Sequence, residues 1–436
     1  MIYIETGRGK LPLITLVAIM SVSLVVNLPG LAISPLMDIL DSVFPSATEL
    51  EIQLLTILPN LFIIPFVLVS GHLSLSNNKI LILMMGLIVY LLSAILYLFA
   101  QSMFALIVIS CLLGIGCGMV IPLSAGLIAE YFEGSYRMRQ LGVKSGLANF
   151  TLIFATLFVG WLGTRGWHLP FLVYLVPVIP FLLIPYMTKR FIDRYAVLHV
   201  EKEIPQGDGA LVATTDEPGM MTGDFHFQGT QSRRLLIGVI ILYFLITYGN
   251  MVVSYFLPFT MQQYRMSSTA VGFVTSLYFL AITIPGFFLP HIVHLLRNKT
   301  SFVSVVLITI GIFLLGIYHT FVSYMISVFL IGFGYGILQP IIYDKATYIA
   351  PNHNKLTQYL SFVLSSNYIA ITISPFIVKG LMLLSGSSSD DFPYYLNASV
   401  MFLLAIGSLI FCKSFVFRVL FDKKLIQGDL LKTEKK

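Results

Sequence analysis

The sequence predicts an all-α membrane protein of twelve transmembrane helices, arranged as two pseudo-symmetric six-helix bundles. Three observations carry this. The first is composition: hydrophobic residues make up 57% and charged residues 11% of 436, with a mean hydropathy of +0.90. Soluble domains carry about 25% charge. The second is duplication. Residues 114–122 read GIGCGMVIP and residues 332–340 read GFGYGILQP, 218 positions apart and half the chain length. The same offset pairs Gln140 with Gln358 and Asn149 with Asn367; an offset of 219 pairs Thr56 with Thr275 and His72 with His291. Two parallel repeats in a polytopic chain are the plan of a carrier that rocks one half against the other. The third is the partition of Lys and Arg described below.

A crossing helix needs about 20 apolar residues. The first span, 11–34, follows Arg8 and Lys10 and is expected to be retained, since no small-residue cleavage site follows a short apolar core. The next runs are 51–71, closing at Gly71-His72; 79–100, opening on Lys79; 103–130, which holds the first glycine motif; 138–163, after Arg137 and Arg139; and 167–188, closing at Lys189-Arg190. The second set runs 235–258, 268–291, 301–320, 322–349 with the second glycine motif, 357–384 and 393–415. The expected domains are therefore 1–188, a linker at 189–234, a second bundle at 235–415 and a tail at 416–436. The polar linker lacks the apolar surface to fold alone and reads as a flexible tether.

An even number of spans puts both termini on one face. With the termini cytoplasmic, 23 of the 26 Lys and Arg residues fall inside, leaving Arg165, Arg265 and Lys379 outside with the acids Asp38, Asp41, Glu49, Glu51, Asp390 and Asp391. The bias holds in both halves and sets the expected orientation in the plasma (inner) membrane. It also accounts for the net charge of +6 without nucleic acid. Cys111 and Cys117 share one predicted span, and Cys412 lies in another apolar or cytoplasm-facing stretch, so no disulfide framework is expected.

Enzyme chemistry finds no support in the residues. There is no paired-carboxylate, Ser-x-His or His-rich constellation. The Gly-x-Gly-x-Gly runs lie inside apolar spans rather than between a strand and a helix, so they do not read as nucleotide loops. They read as close-packing faces, each followed by a proline (Pro122, Pro340) that permits a bend. His291 and His294 have helical spacing but no third ligand nearby, and no metal or cofactor is expected. Asn298-Lys-Thr matches a glycosylation sequon on the face predicted cytoplasmic.

Ala129 to Gly142, AEYFEGSYRMRQLG, resembles the joint between helices four and five of the major facilitator superfamily through Glu130, Phe132, Arg137 and Gly142. Residues 33–79 resemble its first two spans and the following turn, and GWHLPFLVY (166–174) the start of its sixth. Over residues 27–190 the resemblance is to the drug and metabolite exporters. The chain departs from them at Leu75, where the turn usually has Asp, at Ser110, where helix four often has Arg, and at Ala155-Thr156, where proton antiporters often have Gly-Pro.

The resemblance implies a cavity lined by spans 1, 4, 7 and 10, helped by 2, 5, 8 and 11. The candidates there are Asn27, Asn149, Tyr243, Tyr248, Asn250, Tyr278, Tyr335, Gln339 and Asn367, with Asn60, Ser124, Tyr343 and Tyr368 beside them. Amides and phenols suit a neutral or amphipathic organic solute, whereas a phosphate or dicarboxylate would call for Lys or Arg at depth. Gly71, Glu130, Arg137, Arg139 and Asp344 are the expected conformational latch, with Glu130 bridging to Arg137 or Arg139 and Asp344 paired with Lys345. The expected function is alternating-access transport, with export as the direction, protons as a candidate coupling ion and a monomer as the working unit. The rivals are an uptake carrier for a neutral metabolite and a transporter-shaped receptor or scaffold that moves nothing.

Overall fold

The computed structural model describes residues 2–31, 40, 42–45, 47, 49–75, 78–198, 229–386, 389, 391–412 and 414–419. Most of the expected linker and tail, and the acids Asp38, Asp41 and Asp390, lie outside the described residues.

Nearly everything described is helix. Lipid offers no partners to backbone amides, so a crossing segment must satisfy them within itself. The N-terminal half comprises α1 (Leu13–Ser21), α2 (Leu28–Leu31), α3 (Glu49–Leu73), α4 (Lys79–Phe99), α5 (Met103–Tyr131), α6 (Gly134–Gly163), α7 (Val178–Leu183) and α8 (Lys189–Tyr195). The C-terminal half comprises α9 (Gly229–Tyr255), α10 (Leu257–Gln263), α11 (Ser268–Leu296), α12 (Thr300–Ile317), α13 (Phe321–Ile349), α14 (Leu356–Ser385) and α15 (Phe392–Ile410).

Among the described residues, ten helical runs are long and apolar enough to cross a membrane. One of them, Thr269–Ile317, is α11 and α12 joined at Arg297, whose φ of 49° turns the chain. With the shorter apolar run Leu13–Val25 the twelve expected passes are accounted for. The first pass is broken: α1 gives way to a 3-10 turn over Val22–Val25 before α2. The sixth is broken as well, with 3-10 turns at Leu169–Leu175 and Ile184–Met187 flanking α7. Pro170, Pro177, Pro180 and Pro185 recur through it, and each removes a ladder donor.

The duplication in sequence is a duplication of contacts. A Cβ at Gly114 would meet the Pro59 carbonyl at 2.5 Å, and one at Gly332 would meet the Tyr278 carbonyl at 2.7 Å. One at Gly118 would meet the Ile63 carbonyl at 2.9 Å, and one at Gly336 the Ile282 carbonyl at 2.4 Å. In both halves these glycines let a long helix lie backbone to backbone on its neighbour, α5 on α3 and α13 on α11. The helix starts repeat too. Ser102 Oγ accepts from the Ala105 amide and Thr320 Oγ1 from the Ser323 amide, each at 3.2 Å.

The halves meet through α3 against α14 and α6 against α11, with α6 also touching α13 and α5 touching α14. Side chains such as Phe154, Leu157, Leu383, Leu384, Phe402 and Leu403 are exposed on the perimeter, as a lipid-facing surface requires.

The sequence predicts no strand, yet the described residues include three. β1 (Tyr3–Glu5) and β2 (Gly9–Pro12) form an antiparallel hairpin, and β3 (Val197–Leu198) pairs with β2. The hairpin turns at Gly7, where φ is +88°, a value that favours glycine. The Glu133 amide donates to the Thr6 carbonyl at 2.9 Å, which fixes the hairpin beneath the joint between α5 and α6.

Candidate functional site

A buried polar network lies where the halves meet. Tyr243 on α9 and Tyr343 on α13 share a hydroxyl–hydroxyl hydrogen bond of 2.9 Å. Gln339, one turn before Tyr343, donates its amide to the Tyr243 hydroxyl at 3.3 Å. Its carbonyl accepts from the Ser145 hydroxyl on α6, so the network crosses from one half to the other. On α14, Asn367 Oδ1 accepts from Thr247 at 2.8 Å and from Tyr335 at 3.2 Å. Asn250 donates to the Tyr278 hydroxyl. In a low-dielectric interior such linked hydrogen bonds hold the side chains in one arrangement.

Six of the nine expected cavity residues thus join in these bonds: Tyr243, Tyr335, Gln339, Asn367, Asn250 and Tyr278. The other three do not. Asn149 donates back to the Ser145 carbonyl of its own helix at 2.9 Å. Tyr248 packs with Ala370 and Val378 in a separate apolar cluster. Asn27 is half-buried beside Val26, whose carbonyl accepts from Tyr368 at 3.4 Å.

The polar wall belongs mostly to one half. At the 218-residue offset, Tyr243, Tyr335, Gln339 and Tyr343 correspond to Val25, Cys117, Ile121 and Ala125, all buried. The duplicated positions are thus polar in the C-terminal half and apolar in the N-terminal half, which contributes Ser145 from α6 instead.

The charge partition assigns Lys144 to the cytoplasmic side, whereas the structure buries it inside the bundle. It sits on α6 next to Ser145, is 2% exposed, and holds its Nζ 4.9 Å from the ring centroid of Tyr343. Its position inside the fifth apolar span was the available signal. Sequence reasoning also passed over Ser145 and Thr247, because hydroxyls on apolar helices commonly bond their own backbone.

Toward the end of the bundle that carries the N-terminal hairpin, an ion pair, a hydrogen bond and close packing join the halves. Arg137 Nε on α6 donates to Asp344 Oδ1 on α13 at 2.8 Å, and the guanidinium lies 4.5 Å from the Tyr348 ring centroid. Arg8 in the hairpin turn pairs with Glu133, and its Nη1 lies 3.3 Å from His353 Nδ1 in the other half. Backbones close in at the same level. A Cβ at Gly142 would stand 2.4 Å from the Gly286 carbonyl, and one at Gly71 would overlap the Ser361 side chain. By contrast, a Cβ at Gly160, Gly272 or Gly380, toward the opposite ends of α6, α11 and α14, would meet nothing within 4 Å.

The expected latch is corrected in two respects. Glu130 bonds Lys79 at 3.0 Å within its own half, not Arg137 or Arg139, because α4 brings Lys79 alongside α5. Arg139 is exposed. Arg137 is instead the partner of Asp344. Lys345, expected to pair with Asp344, donates to the Val416 carbonyl.

The family model described as Major Facilitator Superfamily matches residues 13–220 and 239–424. No curated protein matches the chain significantly. Among solved structures, the human organic anion transporter MFSD10 (TETRAN) superposes with a TM-score of 0.64 at 13% identity, covering 90% of this chain and 97% of its own. The proton:xylose symporter XylE, bound to 6-bromo-6-deoxy-D-glucose, superposes with a TM-score of 0.65 at 14% identity, covering 92% and 95%.

Proposed function

Because this chain belongs to the major facilitator superfamily and is a membrane transporter by fold, we propose that it is a secondary carrier moving a small amphipathic organic solute by alternating access. The observation that carries this reading is the Ser145–Gln339–Tyr243–Tyr343 network, a polar site shared by two pseudo-symmetric halves. A site on that seam changes its exposure when the halves rock. On this reading the Arg137–Asp344 pair below it holds one end shut. With the termini cytoplasmic, as the basic residues argue, the shut end faces the cytoplasm.

Export is the proposed direction, on the likeness of residues 27–190 to exporters. The two solved neighbours carry different cargoes, and at 13% and 14% identity neither assigns one to this chain. Protons are the proposed coupling ion, the plasma membrane the proposed location and a monomer the proposed unit.

The test is accumulation of amphipathic dyes, one cationic, one neutral and one anionic, in cells expressing the chain, with and without a protonophore. Lower accumulation of a dye that the protonophore abolishes supports energised export. Equal accumulation of all three, followed by no protein-dependent flux in proteoliposomes, would favour a receptor or scaffold.

A further inference from the structure

Lys144 is a buried cation that the fold does not neutralise. Its residue is 2% exposed, so the ammonium is not drawn out to a membrane surface in the way that long basic side chains usually are. Among the described residues no hydrogen bond or ion pair reaches its Nζ; its recorded neighbour is the face of Tyr343 at 4.9 Å. The acids on the helices beside it are already engaged. α6 and α11 contain none, Asp344 on α13 is held by Arg137, and Glu130 on α5 is held by Lys79. A ring face offsets part of the desolvation of an ammonium, and an anion offsets more.

The surroundings of this charge are the candidate site itself. Ser145 follows it in sequence and bonds Gln339, and Tyr343, beneath the ammonium, bonds Tyr243. We propose that Lys144 is the charge-recognising residue of the site and that the carried solute is an organic monocarboxylate with an apolar body. This deepens the carrier reading above and rests on it. One ammonium, with neutral amide and phenol donors around it, matches a single carboxylate. A phosphate or dicarboxylate asks for a second cation, and the buried ones on the same helices, Arg137 and Lys345, are committed to Asp344 and to the Val416 carbonyl. An apolar body suits the N-terminal half, which carries the buried apolar residues Val25, Cys117 and Ile121 at the repeat positions of Tyr243, Tyr335 and Gln339. The neutral solutes that the sequence suggests presuppose a site with no cation at depth, and Lys144 removes that premise.

The test uses the full chain in phosphatidylcholine nanodiscs and liposomes with three matched probes: 1-naphthylacetate, its neutral amide and 1-naphthylethylamine. Binding of the radiolabelled acetate to wild type, at least tenfold tighter than the amide and with the amine weakest, is expected. Lys144→Gln should erase the preference for acetate over amide while the protein stays monodisperse, and Lys144→Arg should restore most of it. A purely structural lysine would leave the ratio unchanged in K144Q, and that result overturns the proposal. If K144Q does not fold, the preference of wild type still decides: tighter binding of the amide or amine, or no binding of the acetate, overturns it. Flux of the amide or amine but not the acetate in the same liposomes leaves the carrier reading standing and removes the anion. Flux of none removes both.

Discussion

Arg137 Nε donates to Asp344 Oδ1 at 2.8 Å across the interface of the two halves, with 0% and 3% of the two side chains exposed. In the proposed rocking motion, opening this end separates two charges that water then solvates, so the proposal ties a single ion pair to a global conformational equilibrium.

Removing one partner should shift that equilibrium. A buried charge left without its partner costs about 3–5 kcal/mol. Arg137→Gln or Asp344→Asn alone is expected to move most molecules to the form open at this end. The double variant should return toward wild type, since no charge is stranded. Electron–electron distances between spin labels on the ends of α6 and α11 measure this. Identical distributions in all four proteins would sink the gate.

Gly142 makes a steric claim about the same closure. An added Cβ would lie 2.4 Å from the Gly286 carbonyl oxygen and 3.2 Å from the Leu289 Cβ. Backbone cannot yield as a flexible side chain can, so overpacking of about 1–3 kcal/mol is expected for Gly142→Ala. The strain falls on the closed form alone. Hydrogen exchange over residues 137–146 should accelerate in the variant, and unchanged protection would mean that the helices do not approach this closely.

Glu130 gives the opposite expectation. Its bond to Lys79 joins α4 to α5 inside one half, and both side chains keep some contact with solvent. Such a pair contributes about 0–1 kcal/mol. Glu130→Gln should leave the spin-label distances of the two halves unchanged and shift the melting temperature only slightly. A large change in the open–closed distribution would restore Glu130 to the latch.

Gln339 links Ser145 to Tyr243. Gln339→Ala strands a donor on one side and loses a donor on the other, a loss of about 1–3 kcal/mol. Flux of the carried solute is expected to fall roughly tenfold while the protein remains folded and monodisperse. Kinetics equal to wild type in a well-folded variant would remove Gln339 from the site.

Part of the site was legible in single residues. Gln339, Asn367 and the tyrosines stood out as polar groups in apolar spans, and an interior that must pair its polar atoms brings such groups together. Asn149 and Tyr248 looked the same in sequence, but one bonds its own helix and the other faces an apolar cluster. Helical phase relative to a neighbour decides this, and composition does not record it.

The amino-acid sequence by itself determined the number of passes, their division into two halves and the close packing at Gly114, Gly118, Gly332 and Gly336. These follow from local rules: lipid forces helices, and a repeated sequence repeats its contacts. Only the tertiary structure decided which charges meet. Glu130 has basic residues at 137 and 139 within reach along the chain but pairs with Lys79 from α4, while Arg137 crosses to the other half. Lys144, one basic residue among many, became a buried cation because α13 closes over it with Tyr343. Hydropathy depends on what a segment contains. Electrostatics depends on what another segment, far away in the chain, brings within a few ångströms.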